Sequence, residues 1–235
     1  MMLLLAACGN EDGDSGIQDD GTPESTGEEA QSDGEDGGSM EASDIIGEAS
    51  SAWGDTVSYE ARQTSTISSG DSQYVVRTIT TRSEQNEIKV EVDDGEEIKT
   101  HYIFEGDHFI YQGGTIEAQD TPREIEDSRY GDLVSRLEPL REGTASEQES
   151  GYEVRYTIDE KEDAVPFFNE EMTSALENVD TFNGLVTVQF NEEYQYTGAK
   201  LTLTVGSGEE EMNIISNITM DRIGQVEMIE KPKEM

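Results

Sequence analysis

Hydrophobic and polar residues alternate along the middle of the chain, and this alternation predicts β-strands. Successive side chains of a strand point to opposite faces of its sheet, so a period of two is typical of a half-buried strand. Five segments between Val57 and Tyr111 show this period. Their apolar and β-branched positions are Val57, Tyr59 and Ala61; Tyr74, Val76 and Thr78; Ile88, Val90 and Val92; Ile98, Thr100, Tyr102 and Phe104; and Phe109 and Tyr111. The pattern favours an antiparallel sheet with one solvated face.

The last two of these segments are expected to form a hairpin. The connection Glu105–His108 is short and contains a glycine, which favours a two-residue turn centred on Gly106-Asp107. That turn would place Phe104 opposite Phe109 and Tyr102 opposite Tyr111. An aromatic ladder would then line one face of the hairpin.

Two histidines, His101 and His108, are the only ones in the chain. In the expected hairpin they lie on the face opposite the aromatic ladder, roughly 13 Å apart along the strand pair. We therefore expect two surface histidines that do not share a metal ion.

Three segments change to a helical period. They are Ser43–Trp53, with Ser43 or Asp44 placed to cap it, Asp127–Arg141, with Pro139 in its last turn, and a helix near Ala164–Asn178. Their apolar stripes are Ile45, Ile46, Ala49, Ala52 and Trp53; Tyr130, Leu133, Val134, Leu137 and Leu140; and Phe167, Phe168, Met172, Ala175 and Leu176.

Alternation returns towards the C-terminus and predicts further strands. They run from Tyr152 to Ile158, Phe182 to Phe190, Tyr194 to Val205 and Met212 to Met220, and a short strand begins at Val226. The fold class is therefore α+β, with about nine or ten antiparallel strands. So long a sheet curls into a half-barrel, with two or three helices on its concave side. This domain covers residues 44–230, and residues 231–235 form a frayed end.

The N-terminus carries a separate signal. Residues 1–8 are an apolar run that ends in small residues and the only cysteine, Cys8. This run resembles the lipobox of bacterial lipoproteins, in which the cysteine thiol receives a diacylglycerol. A secretory signal has a basic segment before its apolar run, whereas the first base here is Arg62. We therefore expect residues 1–8 to be the end of a signal peptide that begins further upstream.

Residues 9–43 are rich in Gly, Ser, Asp and Glu, with 13 acids and no base between Glu11 and Asp44. A segment of this composition buries too little apolar surface to offset its ordering entropy, so it is expected to be a disordered tether. The tether would hold the folded domain away from the membrane surface.

Acids outnumber bases by 54 to 15, giving a formal net charge of −39. Nucleic acid is excluded as a partner, because phosphate binding needs a basic surface. The excess acids are typical of a solvated surface, as in proteins of saline habitats, and the alternative is cation binding. The run from Asp93 to Glu97 fits a hairpin turn and lacks the spacing of an EF-hand loop. We therefore predict neither a metal site nor a cofactor.

The order of elements resembles the LolA-like half-barrel, a superfamily that includes lipoprotein carriers of bacterial envelopes, LprG-type lipid-binding lipoproteins and the RseB domain. It also resembles a Gram-positive lipoprotein family of this layout. The resemblance is carried by Cys8, by the hairpin HYIFEGDHFIY (101–111) and by FNGLVTVQFNEEYQYTGAKLTLTV (182–205). It implies a hydrophobic cavity for acyl chains, or for an apolar segment of a partner, on the concave face.

Two functions follow, and the sequence leaves both open. The first is a lipid-anchored extracytoplasmic lipoprotein that binds a hydrophobic ligand in the half-barrel. The second is an envelope lipoprotein that binds a protein partner for regulation or scaffolding. No motif of covalent or metal-dependent catalysis is present, so an enzyme is not expected. The candidate ligand-binding residues are Tyr74, Tyr102, Phe104, Phe109, Tyr111, Phe168 and Met172.

Overall fold

A computed structural model describes residues 40–119, 128–164, 179–207 and 210–232. Within these residues, eleven antiparallel strands form one open, curved sheet in the order β6-β5-β4-β3-β2-β1-β11-β10-β9-β8-β7. The strands are β1 Tyr59–Ser69, β2 Ser72–Arg82, β3 Ile88–Asp93, β4 Ile98–Phe104, β5 Asp107–Gln112, β6 Thr115–Ala118, β7 Thr144–Gln148, β8 Gly151–Ile158, β9 Thr181–Phe190, β10 Tyr196–Ser207 and β11 Glu210–Asp221. The helices are α1 Ala42–Trp53, α2 Tyr130–Ser135, a 3₁₀ helix Glu138–Glu142 and α3 Lys161–Ala164. The predicted α+β half-barrel class is confirmed.

The helices lie on one side of the sheet, which we call the inner face. This face contains Tyr59 of β1, Arg82 of β2, which pairs with Tyr59, and Ile88 of β3, which pairs with Arg82. The opposite side is the outer face. On the inner face, α1 packs on α2, on the 3₁₀ helix and on β7, while the 3₁₀ helix and α3 pack on β8. Among the described residues, no helix is long and apolar enough to cross a bilayer.

Tyr130, the first residue of α2, lies at the centre of the core. It is fully buried, and its hydroxyl donates a 2.8 Å hydrogen bond to the carbonyl oxygen of Tyr196 on β10. The ring centroid lies 6.4 Å from those of Trp53 and Tyr59 and 6.5 Å from that of Tyr196. A β-bulge between Tyr196 and Gly198 changes the register with β9, so that Tyr196 and Ala199 both face the helices. The buried phenol of Tyr130 thus joins α1 and α2 to β1 and β10 of the sheet.

Two helix predictions need correction. The predicted helix Asp127–Arg141 is divided, because Pro139 has no amide hydrogen to donate to the carbonyl group of Ser135; α2 ends at Ser135 and a 3₁₀ helix follows. The cap of α1 is Glu41 rather than Ser43 or Asp44, and Asp44 accepts a hydrogen bond from the Glu41 backbone. The predicted helix near Ala164–Asn178 lies outside the described residues beyond Ala164.

The hairpin prediction was wrong in its register. Both Glu105 and Gly106 have positive φ, so they form the two-residue turn, with glycine in its second central position. Tyr102 therefore pairs with Phe109 and Phe104 with Asp107, rather than Phe104 with Phe109. The pairing differs from the expected one by two residues, which leaves every side chain on its expected face.

The same shift brings His101 and His108 together. They lie on neighbouring positions of the inner face, with 3.0 Å between His101 Nδ1 and His108 Nε2 and their rings stacked 5.3 Å apart. The expected separation of roughly 13 Å was wrong. Among the described residues, no group of three or more His, Cys, Asp or Glu side chains is placed to hold a metal ion.

Two further differences concern the edges and the end of the chain. The sheet has more strands than expected, because the short edge strands β6 and β7 complete it. No strand begins at Val226; the chain there is irregular, although Glu84 N–H donates to the Val226 carbonyl oxygen at 2.9 Å.

The predicted turn from Asp93 to Glu97 is confirmed, with the Asp94 carboxylate accepting from the Glu96 and Glu97 amides at 2.9 Å.

Gly131 allows α2 to approach the end of α1. A Cβ atom on Gly131 would lie 1.8 Å from the carbonyl oxygen of Gly54. We therefore expect Gly131→Ala to lower the free energy of unfolding by about 3 kcal/mol or more, measured by denaturant titration. Gly47→Ala is the matched control: its Cβ atom would meet nothing closer than 3.9 Å in the middle of α1. This control should stabilise by about 0.5–1 kcal/mol, and equal effects of the two changes would contradict the packing described.

Three buried tyrosines should make stability depend on alkaline pH. Burial raises the pKa of Tyr59 to about 12 and raises those of Tyr130 and Tyr196 further. In the unfolded chain these phenols ionise with a pKa of about 10. Above that pH the folded state therefore binds more protons than the unfolded state. The contribution of these phenols to the free energy of unfolding should be constant below this pH and then fall by about 1.4 kcal/mol per pH unit for each group.

The measurement is a set of denaturant titrations between about pH 8 and pH 11.5, a range that spans the tyrosine pKa of the unfolded chain. Tyr196→Phe keeps the buried ring and removes one ionisable hydroxyl, so it should reduce the alkaline slope by about a third. A slope that Tyr196→Phe leaves unchanged would show that other groups dominate the alkaline loss.

Candidate ligand-binding cleft

The structure divides the predicted ligand-binding residues between two faces of the sheet. Tyr74 pairs with Ile67 and lies on the inner face, where 43% of its surface is exposed. Four residues, Tyr102, Phe104, Phe109 and Tyr111, lie on the outer face. The remaining two, Phe168 and Met172, lie outside the described residues. The aromatic ladder therefore shares no cavity with Tyr74, and ligand binding by this set stays a prediction.

The C-terminal segment explains why aromatic residues occupy the outer face of β4. Ile229 N–H donates to the carboxylate of Glu87 at 2.7 Å, and the Lys231 ammonium lies 4.9 Å from the centroid of the Phe104 ring. Phe104 is 3% exposed, and its inner-face neighbour Ile103 is 5% exposed. Both faces of β4 are thus covered at this end. The sequence of such a strand is apolar on both faces, so it does not indicate which face the helices occupy.

A cleft lies on the inner face where α2 approaches the central strands. Its free volume is about 60 Å³. The lining residues are Tyr59, Ala61, Gln63, Thr80, Ser128, Leu133, Arg136, Tyr196, Ile218 and Met220. Ala61, Ile218 and Met220 supply an apolar floor from β1 and β11, and Leu133 faces it from α2. The lining is predominantly apolar, with its polar groups concentrated on a few side chains.

Buried hydroxyl and amide groups continue the polar part of this floor along β1 and β11. Gln63 Nε2 donates to Ser65 Oγ at 3.1 Å and to Ser216 Oγ at 3.0 Å, and the two hydroxyl oxygens lie 3.0 Å apart. These positions fall in register across the two strands, because Ser65 pairs with Ser216 and Gln63 with Ile218. The three groups satisfy one another, so this part of the floor is rigid rather than available for binding.

Arg82 is not itself a lining residue of the cleft, but its guanidinium bonds to Ser128, which lines it. It is the last residue of β2, where the inner-face positions Val76, Thr78 and Thr80 precede it, and it is 3% exposed. Its guanidinium donates to Ser128 Oγ and, at 2.9 Å, to Asn86 Oδ1. Among the residues described, its Nε atom has no hydrogen-bond partner. Both acceptors are neutral, and burial lowers the pKa of Arg82 below its usual value.

A second guanidinium belongs to the same cleft. Arg136, at the C-terminal end of α2, lines the cavity and is half-buried. Burial raises the pKa of the Tyr59 phenol, which also lines the cavity, while Arg82 and Arg136 both act to lower it. Two cationic side chains therefore act on one buried phenol at the junction of sheet and helix.

The volume limits what this conformation holds. Ligand pockets for molecules of drug size usually measure about 300–1,000 Å³, whereas this cleft measures about 60 Å³. That volume suits a small polar group or a few water molecules. A larger cleft would require the lining side chains of α2, Leu133 and Arg136, to move away from the sheet.

Sequence reasoning selected aromatic residues and missed Arg82, Arg136 and Tyr59. The signal for Arg82 was present: it occupies the same face of its strand as Val76, Thr78 and Thr80. An arginine at an inward position is unusual, because charged side chains are rarely fully buried without a paired charge. Arg136 gave no such signal, since a helical arginine beside an apolar stripe is ordinary.

The comparisons with known proteins concern the fold. No protein-family model and no curated protein matches the chain. The solved structure of LprF from Mycobacterium bovis is similar, with 12% identity over 81% of this chain and 96% of that one and a TM-score of 0.45. A LolA superfamily protein from Nitrosomonas europaea is similar with 8% identity over 83% of this chain and 96% of that one, at a TM-score of 0.30. Both TM-scores are below 0.5, so function has to be inferred from the cleft itself.

Proposed function

We propose that this protein is a non-enzymatic, lipid-anchored lipoprotein of the cell envelope that binds a hydrophobic ligand between its sheet and α2. One observation carries the proposal: the cleft at this junction has an apolar floor made of Ala61, Ile218 and Met220. A floor of this kind, with a small number of polar groups at one side, is the usual composition of a ligand site.

The inner face offers a path for the rest of the ligand. Val76, Ile88, Val92 and Ile103 are 4–8% exposed and lie on the inner face of β2, β3 and β4, outside the main core cluster. They adjoin the cleft through Thr80, which pairs with Val90 on one side and with Ala61 on the other. These side chains are already buried, so an acyl chain that begins in the cleft would contact them only after the groups that now cover them move away. Its path along β2, β3 and β4 would not cross the core around Tyr130.

Attachment to the membrane is the second part of the proposal. The thiol of Cys8 would carry a thioether-linked diacylglycerol, and the chain between Cys8 and α1 would tether the domain. Two acyl chains give stable attachment where a single chain is marginal. The folded domain would then lie outside the cytoplasmic membrane, close enough to it to exchange an amphiphile.

Native mass spectrometry of the full chain purified from membranes tests both parts. We expect a diacylglycerol adduct on Cys8 and a 1:1 complex with added oleyl alcohol, an uncharged C18 probe. Ala61→Phe fills the cleft and should weaken the oleyl alcohol complex by about tenfold or more. Thr202→Phe, at an exposed position of the outer face, is the matched control and should bind as the unchanged protein does. The ligand proposal falls if the unchanged protein binds no probe, or if both variants behave alike.

A protein partner on the outer face is the second candidate function. Ion pairs balance the charge of this face, in contrast to the net charge of −39 for the whole chain. The pairs are Arg62 with Glu60 and Asp221, Arg77 with Asp93, Lys89 with Glu91, and Arg155 with Glu153. Beside them lie the half-buried rings of Tyr102, Phe109 and Tyr111 and the Ile98 side chain, which is 56% exposed. A charge-balanced surface with aromatic side chains is typical of a protein interface.

Cross-linking in cells separates this candidate from the first. A photoreactive residue at Tyr111 should give one adduct of defined mass, and Ile98→Asp should abolish it, since it places a charge in the aromatic patch. Ile215→Asp, at an outer-face position that is 38% exposed and away from the patch, is the control that should retain the adduct. An adduct that survives Ile98→Asp, or none at all, would exclude the aromatic patch as the interface.

A further inference from the structure

We propose that the cleft binds the anionic headgroup of an amphiphile, a carboxylate or a phosphate, and that Arg82 and Arg136 hold it. The inference rests on the proposed function, because it specifies the ligand of the same site. It assigns the polar end of the ligand to the cleft and the apolar chain to the inner face of β2, β3 and β4.

The first argument is the unsatisfied hydrogen-bonding capacity of Arg82. The residue is 3% exposed, its two bonded acceptors are the neutral Ser128 and Asn86 side chains, and its Nε atom has no acceptor in the part of the chain that the structure describes. Within the described residues, no carboxylate lies at ion-pair distance from it; the nearby Asp132 is held instead by Arg129 at 3.2 Å. A buried guanidinium without a counter-charge is unfavourable for folding. An anionic oxygen is the acceptor that would remove this deficit.

The second argument is where an anion can approach this protein. With 54 acids against 15 bases, most of the surface repels anions. Several of the bases are already paired with acids on the outer face. At the cleft, Arg136 lines the cavity, Arg82 bonds to the lining residue Ser128, and both guanidinium groups act to lower the pKa of the Tyr59 phenol. Bidentate hydrogen bonds from guanidinium to carboxylate or phosphate are among the strongest in proteins.

The third argument is size. A free volume of about 60 Å³ is too small for an acyl chain and suits a single carboxylate or phosphate group. Ser128 and Thr80 add hydroxyl groups to the same lining. The apolar floor begins beside these polar groups, so an amphiphile would be oriented with its headgroup towards Arg82 and its chain along the sheet.

The test compares probes with one chain and different headgroups: oleate, oleyl phosphate and oleyl alcohol, with affinities measured by native mass spectrometry of the full chain. We expect at least one anionic probe to bind about tenfold or more tightly than the alcohol, since charge-assisted hydrogen bonds distinguish them. The ratio between oleate and oleyl phosphate identifies which anion the cleft prefers. Arg82→Gln should abolish the preference, so that the anionic probe binds no more tightly than oleyl alcohol does.

Controls keep folding and general charge effects apart from headgroup binding. Arg155→Gln removes one positive charge from an exposed site on the outer face and should retain the preference. Arg136→Gln, at a half-buried position, provides a second variant if Arg82→Gln fails to fold, and it should reduce the preference as well. Equal binding of the three probes, or a preference that survives both Arg82→Gln and Arg136→Gln, would overturn the headgroup assignment while the proposed function stands. Failure of all three probes would reject the proposed function and the assignment with it.

Discussion

The position of the helices on the sheet depends on the buried phenol of Tyr130. Its ring contacts Trp53 from α1 and Tyr59 and Tyr196 from the sheet, and its hydroxyl donates to the backbone of β10. A buried hydroxyl needs such an acceptor, because leaving it unpaired would be strongly unfavourable. This requirement fixes where α2 begins, and the start of α2 in turn places Leu133 and Arg136 over the sheet. The cleft is therefore a consequence of how Tyr130 is packed.

The two faces of the sheet differ in composition. The inner face carries the core, the cleft and an additional buried apolar set on β2, β3 and β4. The outer face is balanced by ion pairs that lie in contact with solvent, and such pairs contribute little to stability. Their more important effect is to create a surface of low net charge on a strongly acidic protein. A hydrophobic ligand inside and a macromolecular partner outside are therefore compatible with one fold.

Much of the fold could be predicted from the sequence, and less of the site. Alternation located the long strands, and the helical period located α1 and α2, because both signals come from neighbours along the chain. The hairpin register was missed because the turn depends on which two residues take positive φ, here Glu105 and Gly106. That error also separated His101 from His108, which are in contact. Arg82 was missed because its burial depends on Ser128 and on packing from elements distant in sequence.

The sequence by itself determined the class of the fold, the alternation that decides which residues share a face, and the strongly acidic charge of the chain. These properties follow from residue type and local spacing. Only the tertiary structure decided which face the helices cover and which strand positions pair. It also decided that a guanidinium lies buried beside an apolar cleft. Those outcomes depend on contacts between residues far apart in the chain, such as Tyr130 with Tyr196 and Phe104 with Lys231, and local periodicity carries no record of such contacts.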